Sequence, residues 1–391
     1  MEEEFSDIRY YGEEDLNEVI QRLLDEPTVY RIARFIFGQV SEDEVKKELR
    51  NYKTIKEFQI DFIIKIIKKI IITSTDGLTS EGVDKYSHST SDKYMFITNH
   101  RNIVLDASFV NYELYEAYQE DFESTAIAIG NNLLGIPWVK DMARLNKSFV
   151  VIRDASVQQM LDNSKRLSKY IRKLITERIS SVWIAQKEGR AKDGNDFTQQ
   201  GLLKMFQMSG SGNFVEDYAS LHIVPAAISY EYDPCITDKV KEQIAIENGG
   251  SYTKGPLDDF NSMYNGLMSY KGRVHISYGD EITKDVLESL DGNISKNEKI
   301  KHLADYIDNF IYSNFKLWPN NYIASDMINS KKQFESFYTP EERNKFENYM
   351  LEKLAPLGEA NKDQQIYIFL KTHAYPVRNA YRNNSDFSFD F

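Results

Sequence analysis

A histidine and a carboxylate six positions apart, His100 and Asp106, form the pair in this chain best suited to proton transfer. An apolar run, Tyr94-Met95-Phe96-Ile97-Thr98, precedes them and reads as a buried strand. The stretch from Ala107 to Gln119, rich in Tyr, Leu and Ala, reads as a helix. His100 therefore belongs in the turn after a strand, and Asp106 near the start of the next helix. An imidazole so placed can take a proton from a hydroxyl. The carboxylate can fix its tautomer and stabilise the imidazolium that forms. The bland alternative is a surface histidine beside an aspartate that favours the helix dipole.

Two further arginine-bearing stretches end apolar runs. Phe149-Val150-Val151-Ile152 leads into Arg153, and Val182-Trp183-Ile184-Ala185 leads into Gln186-Lys187-Glu188-Gly189-Arg190, with Lys192 just beyond. If all these strands are parallel, the charged ends emerge on one sheet edge beside His100, where α/β folds place their sites. Guanidinium groups there suit a phosphate, because they stay charged and bind in two-pronged fashion. Gly189 would allow close backbone approach. Taken singly, each arginine reads more readily as half of a surface ion pair. Residues 140–204 carry 14 Lys and Arg against 7 Asp and Glu, in a chain of net charge −12. That basic segment suits an anionic ligand, an acidic carrier or anionic headgroups, or is a solvated helix face.

The elements needed to hold these residues follow from periodicity. Strands are expected at 94–98, 125–129, 149–152, 181–185, 221–229 and 273–278. Helices are expected at 106–119, 138–144, 157–177, 199–208, 260–269 and 297–315. Strands separated by helices imply βαβ units and a mostly parallel mixed sheet flanked by helices. Val224-Pro225 falls in one strand, where a proline suggests an edge or a first position. Asp76-Gly77 and Gly82 read as turns. We expect three regions: helices over 1–75, an α/β domain over 76–325 and a helical extension over 326–391. In the last, Thr339-Pro340 opens one helix, a second covers 362–372, and 383–391 reads as loose.

One helix, Ile55 to Ile72, is amphipathic: Ile55, Phe58, Phe62, Ile66 and Ile70 share a face, opposite Asp61, Lys65, Lys68 and Lys69. It is either an interfacial helix with a basic polar side or a helix packed on the core. The single cysteine, Cys235, excludes an intrachain disulfide and any multi-cysteine metal site, and fits the cytoplasm. The acidic start, Met1-Glu2-Glu3-Glu4-Phe5, leads us to expect no secretory signal, and no run reaches the ~18 apolar residues of a spanning helix. The acidic balance argues against nucleic acid as the main partner.

Together, Asn99-His100-Arg101 with Asp106, Arg153, Glu188-Gly189-Arg190 and Val224-Pro225 resemble, in order and spacing, the four motif blocks of the glycerolipid acyltransferase family. This family includes the glycerol-3-phosphate and 1-acylglycerol-3-phosphate acyltransferases. The resemblance implies an O-acyltransferase with the family's α/β fold and no metal or cofactor. It would move a fatty acyl group from a thioester of coenzyme A or acyl carrier protein to a glycerolipid hydroxyl, in phospholipid biosynthesis. It implies His100 as base and Asp106 as its orienting partner. Arg101, Arg153, Lys187, Arg190 and Lys192 would hold the acceptor, with Glu188 and Gly189 shaping the pocket. It also implies a cytoplasmic protein in peripheral contact with the membrane.

The chain departs from the family pattern in places. Five residues, not four, separate His100 from Asp106; Gln186-Lys187 replaces Phe-Pro; and no residue stands between Gly189 and Arg190. The altered third block leaves room for a non-phosphate lysolipid acceptor, such as an amino-acid lipid, and the His–Asp spacing for a non-catalytic lipid-binding relative. On a continuous helix the extra residue would swing Asp106 by ~100° away from the imidazole. The carboxylate therefore reaches His100 Nδ1 only if the helix starts at or after Val104.

Overall fold

A computed structural model describes residues 3–86, 92–153, 156–250, 252, 255 and 257–391. Seven strands form one mixed sheet: β1 Leu78–Glu81, β2 Met95–Thr98, β3 Ala126–Gly130, β4 Ser148–Val151, β5 Val182–Ala185, β6 Ile223–Tyr230 and β7 Val274–Tyr278. Their order is β1-β7-β6-β2-β5-β3-β4, with every pairing parallel except β6 with β7. The α/β class is as expected, with helices on both faces of the sheet and helical regions at both ends.

Alternation along β2 shows how the faces divide. Met95 and Ile97 join one core layer, under the helices Val157–Thr176, Gln200–Gln207 and Lys296–Asn314. Tyr94 and Phe96 join the other, under Leu105–Tyr118 and Lys65–Ser74. A strand covered on both faces must be apolar throughout, and β2 and β6 are buried at every position.

Pro225 does not sit at an edge. It lies inside β6, between β2 and β7. Its carbonyl accepts from Gly279 N at 2.9 Å, so its missing N–H faces β7 just where that strand ends. The reciprocal bond that proline cannot donate is replaced by the Tyr86 hydroxyl, which donates to the Gly279 carbonyl. β1, read from sequence only as a stretch between turns, is a four-residue edge strand with alternate residues exposed. Its pairing to β7 is a tertiary event.

The helix over Ile55–Phe58, Gln59–Ile64 and Lys65–Ser74 is continuous, with a π-helical middle segment. Its wider turns shift the apolar face partway along. Ile55, Phe58 and Phe62 enter a cluster with the helices Leu16–Leu24 and Pro27–Phe37, whereas Ile64, Ile67 and Ile70 enter the sheet cluster. Phe58 and Phe62 are fully buried and stacked at 5.5 Å. The interfacial reading of this helix is therefore overturned: its apolar face is already covered. Among the described residues no helix is long and apolar enough to cross a membrane.

The last helix runs from Lys362 to Ala380, through Pro376 and past the end at Thr372 expected from sequence. It packs on Pro319–Ile328 and Pro340–Leu354. The C-terminal tail is not loose. Phe387 stacks on Phe334 at 4.7 Å, and Asp390 pairs with Lys331 at 2.7 Å.

His373 on this helix is buried against Phe346 and Phe369. Its Nδ1 donates to the Phe369 carbonyl at 2.9 Å, and Nε2 has no partner. Burial pushes its pKa from 6.5 down to about 4. Below pH 6.5 the unfolded chain binds a proton that the folded chain takes up only near pH 4. Stability is thus full above that window and falls with pH through it, by on the order of 3 kcal/mol. Asp308, raised by burial to about 6, acts in the opposite sense. Thermal melts of wild type and His373→Leu should therefore be compared at each pH, and the variant should lose less stability on acidification. Parallel curves would show that another group sets the dependence.

Candidate active site

β2 delivers His100 to the carboxyl edge of the sheet, and Asn99 locks that edge to β6. The Asn99 Oδ1 accepts from Ile228 N at 2.7 Å, and its Nδ2 donates to the Ile228 carbonyl at 2.9 Å. Beyond His100 the chain turns before the Leu105–Tyr118 helix begins. Asn102 caps that helix, its Oδ1 accepting from Val104 N (3.0 Å) and Leu105 N (2.9 Å). The extra residue between His100 and Asp106 is absorbed in this turn, ahead of the helix.

The Asp106 carboxylate consequently faces back over the turn. Its Oδ2 lies 2.7 Å from His100 Nδ1 and accepts from Arg101 N (2.6 Å) and Asn102 N (3.0 Å). Its Oδ1 accepts from the Tyr230 hydroxyl at 2.7 Å. Asp106 is fully buried, and the His100 side chain is 13% exposed. With Nδ1–H directed at the carboxylate, the Nε2 lone pair is left to accept a proton. The Trp183 ring meets the imidazole edge-on at 5.7 Å.

The other predicted site residues divide. The segment after β5 touches the histidine directly, since Ala191 N donates to the His100 carbonyl at 2.9 Å. Within it, Gly189 has φ +71°, and a Cβ there would meet no protein atom. Its glycine is needed for conformation rather than for close approach. Arg153 and Glu188 come together from two strand ends, with Nε 3.6 Å from Oε1. Arg190 is half-buried, and its Nη1 has no hydrogen-bond partner. Lys187 donates to the Asn195 carbonyl at 3.1 Å and lies over the Phe197 ring; burial lowers its pKa.

Two residues expected at the acceptor are engaged elsewhere. Arg101 is buried, pairs with Asp196 at 2.5 Å and donates to the Gly194 carbonyl at 3.0 Å. Burial alone would lower its pKa, but Asp196 and Asp233 more than reverse this and leave it raised. Its charge is spent on holding the segment after β5. Lys192 is paired with Glu242, and its carbonyl accepts from Thr372 Oγ1 at 3.3 Å. The basic helix Val157–Thr176 is similarly engaged: Arg166 pairs with Asp7, Lys169 with Glu4 and Lys173 with Glu177.

Sequence reasoning missed Tyr230, one of 25 tyrosines and without a motif to mark it. It also missed the C-terminal helix as a wall of the site. Gly194 has φ +81°, and any Cβ there would overlap the Thr372 carbonyl. Pro376, four residues further on, cannot donate to that carbonyl, so it is free to face the loop.

Residues 79–229 match the family model described as Acyltransferase. The matched segment spans β1 to nearly the end of β6 and contains His100, Asp106, Arg153, Glu188 and Arg190. The match covers less than half of the chain and supports acyl transfer as the class of activity. No curated protein matches the chain.

His100→Ala should lower acyl transfer by ~10²–10⁴-fold with the fold retained. Asp106→Asn keeps the shape but reverses the tautomer preference, and should cost about as much as in other oriented-histidine sites, ~10⁴-fold. Turnover assays on folded protein decide both, and near-wild-type rates would remove this pair from the chemistry.

Proposed function

We propose that this protein transfers a fatty acyl group from a thioester of coenzyme A or acyl carrier protein to a hydroxyl of glycerol-3-phosphate or 1-acylglycerol-3-phosphate, as a step of phospholipid biosynthesis. The observation that carries the reading is the 2.7 Å contact of His100 Nδ1 with buried Asp106, inside the segment that matches the acyltransferase model. His100 Nε2 takes the acceptor's hydroxyl proton as the oxygen attacks the thioester carbonyl carbon. Asp106 stabilises the imidazolium during that step. The C–S bond then breaks, and the imidazolium returns its proton to the leaving thiolate. Arg190, with an unused donor, and Arg153, which reaches Glu188 two positions before it, are the groups we assign to the acceptor phosphate.

A second reading has its own support. Arg153, Lys192 and Arg101 each face a carboxylate: Glu188, Glu242 and Asp196. A site whose cations are largely matched also suits a lysolipid without phosphate, such as one built on an amino acid. Labelled acyl-thioester offered with a panel of acceptors separates the two. Turnover on glycerol-3-phosphate or its monoacyl form supports the first, and turnover only on an amino lipid the second. Under the first reading Arg190→Ala should raise the acceptor KM ~10–100-fold, the size of one or two charge-assisted contacts. An unchanged KM would remove Arg190 from the phosphate.

We place the protein in the cytoplasm, in peripheral contact with the membrane, through a surface other than the one expected from sequence. The helix Asp258–Met268 lies over the Asn102 turn, with Gly266 against Asn102. Its outer side exposes Tyr264 (57%) and Met268 (46%), and Leu257 just before it is 56% exposed. It packs against Lys65–Ser74, where Lys65, Lys68, Lys69 and Ile72 are exposed. Apolar side chains beside lysines suit an anionic lipid surface. The triple variant Leu257→Ser, Tyr264→Ser, Met268→Ser should bind anionic vesicles several-fold more weakly while its melting temperature is kept. Unchanged binding would place the contact elsewhere.

A further inference from the structure

Tyr230 is the last residue of β6 and lies one position beyond the matched acyltransferase segment. Its side chain is brought to the catalytic pair by the sheet itself. The Asn99 clasp fixes Ile228 against the end of β2, and Tyr230, two residues on, projects from the same face of β6. Its ring packs 6.2 Å from Phe109, one turn along the helix from Asp106, and its hydroxyl donates to Asp106 Oδ1 at 2.7 Å. On the partner strand, Tyr230 is in register with Val274 of β7.

Asp106 Oδ2 is already shared by His100 and two backbone amides, whereas Tyr230 is the only side chain on Oδ1 among the described contacts. Without it, Oδ1 would be an anionic oxygen buried with no donor, and more of the carboxylate's charge would fall on the bond to His100 Nδ1. The hydroxyl also takes up part of the carboxylate's charge, which limits how strongly Asp106 draws the imidazolium proton. Tyr230 remains a donor at all working pH values, because burial and then the nearby Asp106 hold its pKa well above 10.

We infer that Tyr230 is a positioning residue for the His100–Asp106 pair, tempering the carboxylate's basicity through Oδ1. The inference rests on the proposed acyl transfer for its kinetic consequence, but not for its structural one. The hydroxyl touches neither the acceptor nor the donor in this role, so its removal should act on kcat and leave KM alone.

Tyr230→Phe deletes one oxygen and retains the ring packing. In the full-length protein without substrate, the ring-nitrogen chemical shifts of His100, assigned by their loss in His100→Ala, should move toward a stronger Nδ1–H to carboxylate bond. With an accepted acyl-thioester and acceptor, kcat should fall about tenfold or more, the scale of one hydrogen bond to a charged group, with both KM values kept. The acidic limb of the kcat/KM profile should move to higher pH, because a carboxylate with one fewer donor favours the imidazolium. Thermal melts establish that the variant is folded. Unchanged His100 nitrogen shifts in folded Tyr230→Phe would overturn the inference, whatever the turnover. A wild-type protein inactive on every acyl acceptor would instead overturn the proposed function, while the nitrogen shifts would still report on Tyr230.

Discussion

A carboxylate sealed from water must be met by donors or lose its charge, and Asp106 is the residue on which this demand falls. It receives two backbone amides, an imidazole N–H and a phenol. Its position as the second residue of a 14-residue helix adds the favourable end of the helix dipole. Each donor comes from a different structural decision. The amides require the turn after β2, the imidazole requires the strand that ends at Thr98, and the phenol requires β6 in one register. An error in any of these would leave an anionic oxygen stranded, so the site and the sheet specify one another.

The same economy explains the residues around the pair. Asn99 uses its side-chain amide to join β2 to β6 in both directions. Arg101 and Asp196 tie the segment after β5 beneath the histidine, and Ala191 N completes the tie from the main chain. The C-terminal helix closes this segment from outside, through Thr372 on Lys192 and on the Cβ-free face of Gly194. That helix lies beyond residues 79–229, so the segment matching the acyltransferase model is completed by a part of the chain that carries none of its motifs.

Charge behaves differently along the chain and across the structure. The basic stretch between 140 and 204 is a sum over neighbours in sequence, but its cations meet carboxylates from elsewhere: Glu4, Asp7 and Glu242. Arg172 turns inward to the Phe206 and Asp217 carbonyls. What remains at the site edge is a sparse set, in which Arg190 Nη1 and Arg153 Nε are buried donors without a hydrogen-bond partner.

Local pattern was enough to reveal six of the seven strands and most helices, since burial on one or two faces writes a period into the residue types. It also placed His100 and Asp106 at the right ends of their elements. Short-range sterics even carried the condition on where the helix must begin, and Asn102 meets it by capping Leu105. The tertiary structure alone decided the rest, because a contact between distant segments leaves no period in either. β1 was hidden because half its residues face water and its partner, β7, lies nearly two hundred positions away. The amphipathic helix over residues 55–74 had an unmistakable apolar face, but whether lipid or protein covers such a face depends on what else the chain brings to it. The chain brings its N-terminal helices. That Asp196 stands beside Arg101 is likewise settled only by the fold. Tyr230 was invisible for the same reason: a phenol joins such a site only when folding delivers it to an oxygen on another element.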